Sequence, residues 1–202
     1  MVGTSALLMA LTLSAPQDSA QLKARVVGTF ELADASGSRH STQEWAEAKA
    51  IVLFFVWADC PASNGYAPEM IRLAKAYGGK GVLFYGVHSD PELTPEQAAK
   101  HAREHELPFP MLLDPTQQLA HDTGVKRAPA AVVLSPAGKV LYVGRIDDRY
   151  ASLGKKRAEP TQRDTQNALD AILAGKTPAV AETEVIGCLL PKIMDNSKHK
   201  SR

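Results

Sequence analysis

The stretch Ala50-Ile-Val-Leu-Phe-Phe-Val-Trp57-Ala-Asp-Cys60-Pro61 decides the fold of this chain. Residues 50–57 are apolar at every position, which predicts a strand covered on both faces, as in a parallel sheet. The strand stops at Asp59-Cys60-Pro61, and apolar residues at helical spacing follow as far as Gly78-Gly79. A cysteine therefore lies where a buried strand ends and a helix begins.

The patterns on either side of this stretch predict an α/β fold. Residues 81–87 form a second buried strand, so the helix between the two strands closes a β-α-β unit, kinked at Pro68. The same reasoning predicts strands at 26–32 and 110–113, helices at 41–49, 94–105, 117–122 and 162–174, and a hairpin of 130–134 with 139–143. A β-α-β unit with an inserted helix-strand-helix, then a hairpin and a closing helix, predicts a three-layer α/β/α sandwich with a mixed sheet.

The composition is that of a soluble protein with one domain. Of its 202 residues, 45% are hydrophobic and 22% are charged, and Lys and Arg number 23 against 22 Asp and Glu. A net charge of +1 provides no attraction to nucleic acid and does not indicate a peripheral membrane contact. The two cysteines, Cys60 and Cys188, are too few for a disulfide scaffold or a four-cysteine zinc site.

The first 20 residues have the form of an export signal. An apolar run at residues 6–13, too short to span a bilayer, is followed by a small and polar stretch. No Lys or Arg precedes the run, which keeps a disordered arm as the alternative. We predict a signal or arm at 1–20, the folded domain at 24–176 and a tail at 177–202 that carries Cys188. The signal predicts a periplasmic or extracellular protein, and the arm a cytoplasmic one.

Cys60 is the first candidate for chemistry. Sites in α/β proteins are built at the carboxyl ends of strands, and the amino end of a helix favours a thiolate through its free amides and its dipole. The dipole contributes only about 0.3–1 kcal/mol at an exposed site, and the neighbouring Asp59 opposes it. We expect a moderately activated thiol, and the alternative is a small apolar side chain packed at a strand end.

Three segments together resemble a known superfamily. Phe54-Phe-Val-Trp57-Ala-Asp-Cys60-Pro-Ala-Ser-Asn-Gly-Tyr-Ala-Pro68 resembles the active-site segment of the thioredoxin superfamily, and Arg127-Ala-Pro129-Ala resembles its cis-proline segment. Residues 109–114 and 144–149 resemble the redoxin branch, which holds the alkyl hydroperoxide reductase/thiol-specific antioxidant proteins and exported thiol-disulfide thioredoxins. The resemblance implies a thioredoxin-like fold and a thiol oxidoreductase, with Cys60 as nucleophile and Pro129 against it.

The sequence departs from both patterns within the redoxin branch. Ser63 stands where a thioredoxin has its second cysteine, and Trp57 stands where a peroxiredoxin has a threonine, although Cys60-Pro61 matches the start of the peroxiredoxin motif. The tail is long enough to bring Cys188 to Cys60. Cys188 is therefore a resolving cysteine, half of a permanent disulfide, or unpaired.

Several polar residues are candidates to support the thiol. Ser63 and Asn64, in the first turn of the helix, are expected to hydrogen-bond the thiolate or the substrate. Arg145 and Arg149 follow the predicted hairpin, which returns the chain to the site, and either could bind an anion; the alternative is a surface ion-pair cluster.

The histidines are further candidates. His88, at a strand end, is a base or metal ligand, or a solvent-facing loop residue, which we favour. His101 and His105 are expected on the exposed side of their helix.

The leading hypothesis is an exported redoxin-type thiol oxidoreductase. Cys60 attacks a peroxide or a protein disulfide, and Cys188 or an external thiol reductant resolves the product, with no cofactor or metal. One alternative is a copper-handling protein that uses Cys60, Cys188 and His88 as ligands. Another is a non-catalytic module with a structural Cys60–Cys188 disulfide. The substrate, the physiological reductant and the oligomeric state stay open at this point.

Overall fold

The structure, a computed structural model, describes residues 25–193. Its strands are β1 (Glu31–Ala33), β2 (Arg39–Ser41), β3 (Ala50–Val56), β4 (Val82–His88), β5 (Met111–Leu113), β6 (Arg127–Ala128), β7 (Ala130–Leu134), β8 (Val140–Gly144), β9 (Tyr150–Ser152), β10 (Lys155–Lys156) and β11 (Cys188–Leu189). Its α-helices are α1 (Pro61–Gly65), α2 (Ala67–Tyr77), α3 (Pro95–Glu104), α4 (Gln118–Thr123) and α5 (Asp164–Leu173). Short 3-10 turns cover Thr42–Trp45 and Gly78–Lys80.

A five-stranded sheet of order β5-β4-β3-β7-β8 forms the middle of the fold. Strands β3, β4 and β5 are parallel, whereas β7 runs antiparallel to both β3 and β8. Every residue of β3 is buried, as expected for a strand covered on both faces. The mixed sheet and the inserted α3-β5-α4 confirm the predicted α/β fold.

Two apolar layers hold helices on opposite faces of this sheet. On one face Phe54 packs with Met70 of α2 and Leu169 of α5, all of them buried. On the other face Phe55 packs with Leu119 of α4 and with Trp45. Each large apolar side chain contributes about 1.5–3 kcal/mol through its burial, so the sheet is firmly held between the layers. The three-layer arrangement is confirmed.

Two predicted elements near the amino end differ from those observed. The strand predicted at 26–32 is replaced by β1 and by an isolated bridge from Val26 to Lys139, because residues 25–27 pair with the β7–β8 hairpin instead. The helix predicted at 41–49 is a 3-10 turn that ends at Trp45. Its predicted capping box, formed by Ser41 and Glu44, is present, so the local signal was correct and only the length was wrong.

The helix after Cys60 is broken, as Pro68 predicted. Tyr66 separates α1 from α2, and Pro68 occupies the second position of α2, where its missing N–H costs no helical hydrogen bond. The Tyr66 hydroxyl donates to the Asp147 carbonyl at 3.0 Å, which fixes the break against the loop after β8. Cys60 is thus followed by only one short turn of helix.

The described part of the tail packs along the domain. The Val143 amide of β8 donates to the Ala181 carbonyl at 3.0 Å, and the Thr183 amide donates to the Val143 carbonyl at 3.1 Å. Farther along the tail, β11 pairs with β6. The predicted signal or arm at 1–20 lies outside the described residues. Among residues 25–193 the helices are too short and too polar to cross a membrane.

Candidate active site

Cys60 occupies the position that the sequence predicted, between β3 and α1. It is the N-cap residue of α1, in an extended conformation, and its carbonyl accepts a hydrogen bond from the Asn64 amide at 3.1 Å. The side chain is completely buried, at 0% exposure. Its Sγ lies 3.6 Å from the carbonyl oxygen of Ala128.

The segment that faces Cys60 contains a cis peptide bond. The bond joins Ala128 to Pro129, the position at which the resemblance implied a cis proline. Because Pro129 has no N–H, the chain here offers the Ala128 carbonyl to the thiol but no competing donor from the next residue. Ala128 belongs to β6, a two-residue strand that pairs with the tail.

The tail brings Cys188 to this segment. In the antiparallel pairing of β11 with β6, Cys188 lies opposite Ala128 and Leu189 opposite Arg127. The guanidinium of Arg127 donates to the Gly187 carbonyl at 2.8 Å. Two hydrogen bonds farther along hold the strand end: the Leu190 amide to the Lys126 carbonyl at 3.0 Å, and the Gln117 side chain to the Pro191 carbonyl at 2.6 Å. The two cysteines, far apart in sequence, are therefore neighbours.

Gly187 is required for this close approach. A Cβ at this position would overlap the Ala128 carbonyl oxygen and lie 3.1 Å from Cδ of Pro129. Both obstacles belong to a backbone and a ring that cannot rotate away. The glycine therefore lets the tail backbone lie directly against the cis-proline segment.

The two thiols, both free in this structure, have pKa values that are shifted in opposite directions. Burial raises the pKa of Cys60, but hydrogen bonds from the Cys188 thiol and from the amides of Ser63, Cys188 and Ala62 outweigh it, so the pKa lies below its ordinary value. Burial and the negative charge of Cys60 raise the pKa of Cys188 to about 11. Of the two thiols, Cys60 therefore ionises at the lower pH, while Cys188 is still a thiol that stabilises the thiolate.

Other predicted site residues lie on the loop and helix around Cys60, but their side chains bind the backbone. The Ser63 hydroxyl accepts from the Trp57 amide at 3.2 Å, and the Asn64 amide nitrogen donates to the Ala58 carbonyl at 2.9 Å. Trp57 is half-buried, and its carbonyl accepts from the Cys60 amide. Asp59 and Pro61 are exposed. Ser63 reaches the thiolate through its backbone amide rather than its hydroxyl.

The two arginines after the hairpin are engaged with carboxylates. Arg145 forms an ion pair with Asp164 at 2.7 Å, and Nε of Arg149 lies 3.8 Å from the buried Asp147. Among the contacts of residues 25–193, these pairs correspond to the ion-pair alternative, and neither guanidinium is bonded to a cysteine. The cation that does act on the thiol pair is Arg127, which lowers the pKa of Cys188. Its place two residues before Pro129 was the only sequence signal for it.

Both predictions of exposure for the histidines were wrong. His88 is 1% exposed, because β4 continues through it and pairs it with Val56 at the end of β3. His101 is 6% exposed, because α3 packs this face against α1 rather than turning it to solvent. Within residues 25–193 no group of three or more His, Cys, Asp or Glu side chains is placed to hold a metal ion. The copper ligands Cys60, Cys188 and His88 are not assembled.

Solved structures with similar folds include two of unassigned function. An uncharacterized conserved protein from Geobacillus kaustophilus is 28% identical, with a TM-score of 0.74 over 84% of this chain and 92% of that one. A hypothetical protein from Sinorhizobium meliloti 1021 is 26% identical, with a TM-score of 0.73 over 83% and 92%. No curated protein sequence matches the chain.

A more distant structure and a family model place this fold. A putative thiol:disulfide interchange protein DsbE from Chlorobium tepidum is 23% identical, with a TM-score of 0.52 over 60% of this chain and 83% of that one, which shows a common fold. The model of the AhpC/TSA family matches residues 24–143, more than half of the chain. With its thioredoxin-like sheet and Cys60 at the end of β3, the chain belongs to the AhpC/TSA family.

Proposed function

We propose that this protein is a two-cysteine thiol oxidoreductase that reduces disulfides carried on extended polypeptide segments. Cys60 is the nucleophile and Cys188 the resolving cysteine. The observation that carries the proposal is the pairing of β11 with β6, which holds a cysteine on an extended strand against Cys60. A substrate segment with a disulfide fits the same edge once the tail has moved away.

The proposed reaction has two balanced exchange steps. The Cys60 thiolate attacks one sulfur of the substrate disulfide, forming a mixed disulfide and releasing the other substrate sulfur as a thiolate. The Cys188 thiolate then attacks the Cys60 sulfur, forming the Cys60–Cys188 disulfide and releasing the second substrate thiolate. The substrate gains two electrons, and an external thiol reductant returns both cysteines to the reduced state. No cofactor takes part in either step.

The acidities of the two thiols favour this order of events. Cys60 ionises first, so it reacts first. When its sulfur enters a mixed disulfide, its negative charge disappears, and with it one of the causes that raise the pKa of Cys188. Arg127 continues to favour the Cys188 thiolate. The resolving thiol thus becomes more nucleophilic at the stage at which it is needed.

The tail has to move before a substrate can reach Cys60, because the thiol is completely buried. The contacts that hold β11 are backbone and side-chain hydrogen bonds, each of which contributes about 0.5–1.5 kcal/mol net. Breaking a few of them is within reach of thermal opening. Residues 181–183 pair separately along β8 and provide an anchor about which the end of the tail can open.

Peroxide reduction is the second candidate, and the AhpC/TSA family match favours it. In this reaction the Cys60 thiolate attacks one peroxide oxygen, forming a sulfenic acid and releasing an alkoxide or hydroxide. The Cys188 thiol then forms the disulfide and releases water. Trp57 in place of the threonine of a peroxiredoxin removes a donor that would hold the peroxide, which is why we rank this candidate second.

The two candidates are distinguished by mass spectrometry of the reduced protein. Cys188→Ser should accumulate a mixed disulfide between Cys60 and a cystine-containing peptide, and Cys60→Ser should form none. If peroxide reduction is the function, hydrogen peroxide should add one oxygen to Cys60 faster than a peptide disulfide at the same concentration reacts with Cys60. A Cys188→Ser variant that releases both substrate thiols as fast as the parent would refute the resolving role.

A structural disulfide would give a different result before any substrate is added. If the bond is permanent, alkylation of the native, unreduced protein should label neither Cys60 nor Cys188. Both cysteines should then be labelled once the protein has been reduced. The proposed enzyme, isolated under reducing conditions, should instead lose two hydrogens when it reacts and regain them when a dithiol is added.

Export also remains a proposal, since residues 1–20 lie outside the described part of the chain. Fractionation of cells that express the full sequence, with the apolar run at 6–13 intact or interrupted by two charged residues, tests it. We expect the intact chain outside the cytoplasm and the interrupted chain inside it. Equal distribution of the two forms would contradict export.

A further inference from the structure

A chain of hydrogen bonds connects the inserted helix α3 to the loop before Cys60. The Nε2 atom of His101 lies 2.9 Å from Oδ1 of Asn64. Asn64 in turn donates from Nδ2 to the Ala58 carbonyl at 2.9 Å, and its backbone amide donates to the Cys60 carbonyl. One residue of α1 therefore binds the chain on both sides of Asp59, and a histidine of another helix holds that residue.

The direction of every bond in this chain is determined by its chemistry. The Ala58 carbonyl can only accept, so the Asn64 amide must present its NH₂ group to it. The oxygen of the same amide then faces His101, which requires a hydrogen on Nε2. His101 Nδ1 is buried and, among the described residues, has no hydrogen-bond partner. In its neutral form, His101 therefore carries its hydrogen on the nitrogen that faces the active-site helix.

Neighbouring rings hold His101 in this orientation. The His88 ring meets it edge-on, with centroids 5.0 Å apart at 72°, and the His105 ring lies 4.8 Å away. His88 is itself fixed beside Val56, two residues before Ala58. The contacts thus pass from the end of β3 through two histidines and Asn64 back to the loop that follows β3.

Both buried histidines are uncharged at neutral pH. Burial and the nearby His101 lower the pKa of His88 to about 3, and burial and the nearby His105 lower that of His101 to about 4. Replacing His101 by another neutral side chain therefore leaves the charge near Cys60 unchanged. Any change at the thiol that follows such a replacement has to come from position.

The thiolate depends on this position because α1 is too short to maintain itself. It has five residues, fewer than an isolated helix needs to form, and its first-turn amides at Ala62 and Ser63 stabilise the Cys60 thiolate. Without the Asn64 bridge the loop and the turn can move apart, and the amides then no longer point at the sulfur.

We propose that His101 is a positioning residue of the Cys60 site, which acts through Asn64 to hold the amides of α1 in line with the thiol. The inference rests on the proposed function only in that Cys60 reacts as a thiolate. It assigns a role to the inserted α3: the insertion supplies a brace for the active-site turn.

The test compares the ultraviolet absorption of the thiolate as a function of pH in the reduced full-length protein and its variants. His101→Leu removes the donor and keeps the bulk, whereas His101→Gln can still donate to Asn64. His121→Leu, at an exposed site outside this cluster, is the matched control. We expect His101→Leu to raise the pKa of Cys60, so that at pH values below this pKa the thiolate fraction falls roughly three- to tenfold, which is equivalent to one lost hydrogen bond. His101→Gln should keep most of the thiolate fraction of the parent.

A double-variant cycle adds a second criterion. Asn64→Ser should reproduce the shift of His101→Leu, and combining the two should add little, because both break the same chain. Since Asn64 is only half-buried, this variant also carries the test if His101→Leu does not fold.

Three outcomes overturn the inference. The first is an unchanged Cys60 titration in His101→Leu together with a lower melting temperature, since this indicates packing alone. The second is an equal shift in His121→Leu, and the third is additive shifts of His101→Leu and Asn64→Ser. The titration needs neither turnover nor Cys188, so its result is independent of whether the protein reduces disulfides or peroxides.

Discussion

Gly187→Ala is expected to open the tail without removing either cysteine. The added Cβ would overlap the Ala128 carbonyl oxygen and lie 2.7 Å from its carbon, closer than real Cβ atoms approach other atoms. Because the obstacle is backbone in β6, the tail has to move. The Arg127 bond to the Gly187 carbonyl and the β11–β6 pairing then weaken together.

The size of the effect follows from the bonds that are lost. Two or three hydrogen bonds at about 0.5–1.5 kcal/mol each amount to about 2 kcal/mol, which favours the open tail by roughly 30-fold. Cys60 is completely buried when the tail is docked, so its alkylation rate follows the open fraction. We expect Cys60 of the variant to be alkylated roughly 30-fold faster than the parent, at a pH where it is already ionised, and the Cys60–Cys188 disulfide to form more slowly.

Gly28→Ala is the matched control, because a Cβ there meets nothing within 4 Å. Mass spectrometry of the labelled peptides separates Cys60 from Cys188. Equal alkylation rates in Gly187→Ala and the parent, with the fold intact, would refute the idea that the docked tail limits access to Cys60.

Two further predictions concern charged groups. Arg127→Leu removes a tail contact and the cation that lowers the pKa of Cys188, so stopped-flow measurement should show disulfide formation slowed by about three- to tenfold. Burial lowers the pKa of His40, but its bonds to Glu44 and Asp34 outweigh this and raise it above 6.5. The resulting stability is present below pH 6.5 and is lost as the pH rises through the raised value, so melting temperatures should fall over that range, and less in His40→Gln.

His121→Gln, at an exposed site, is the control for the histidine, and it should melt with the pH dependence of the parent. A parallel fall in His40→Gln and the parent would show that the pair of carboxylates does not use the charge of His40. For Arg127, an unchanged rate of disulfide formation would mean that β11 holds Cys188 in place without the guanidinium.

Much of the frame followed from local signals. The uninterrupted apolar run of β3 predicted a strand buried on both faces, and the proline at position 68 predicted the break after α1. These features depend on backbone chemistry and on neighbours within a few residues, which a sequence displays directly. The strand predicted at 26–32 failed because residues 25–27 pair with a hairpin more than a hundred residues away.

The sequence by itself determined that Cys60 would stand at a strand-to-helix junction without a near partner, and that Cys188 would be the only other thiol. Tertiary structure decided that the two thiols meet, because β11 pairs with β6 and so brings Cys188 to the segment that faces Cys60. That pairing requires a glycine at position 187, where a Cβ would overlap the Ala128 carbonyl oxygen. It also decided that His101 is buried, because the exposed face of a helix is defined by what packs on it. Distances between segments remote in the chain depend on packing, which residue patterns within one segment do not contain.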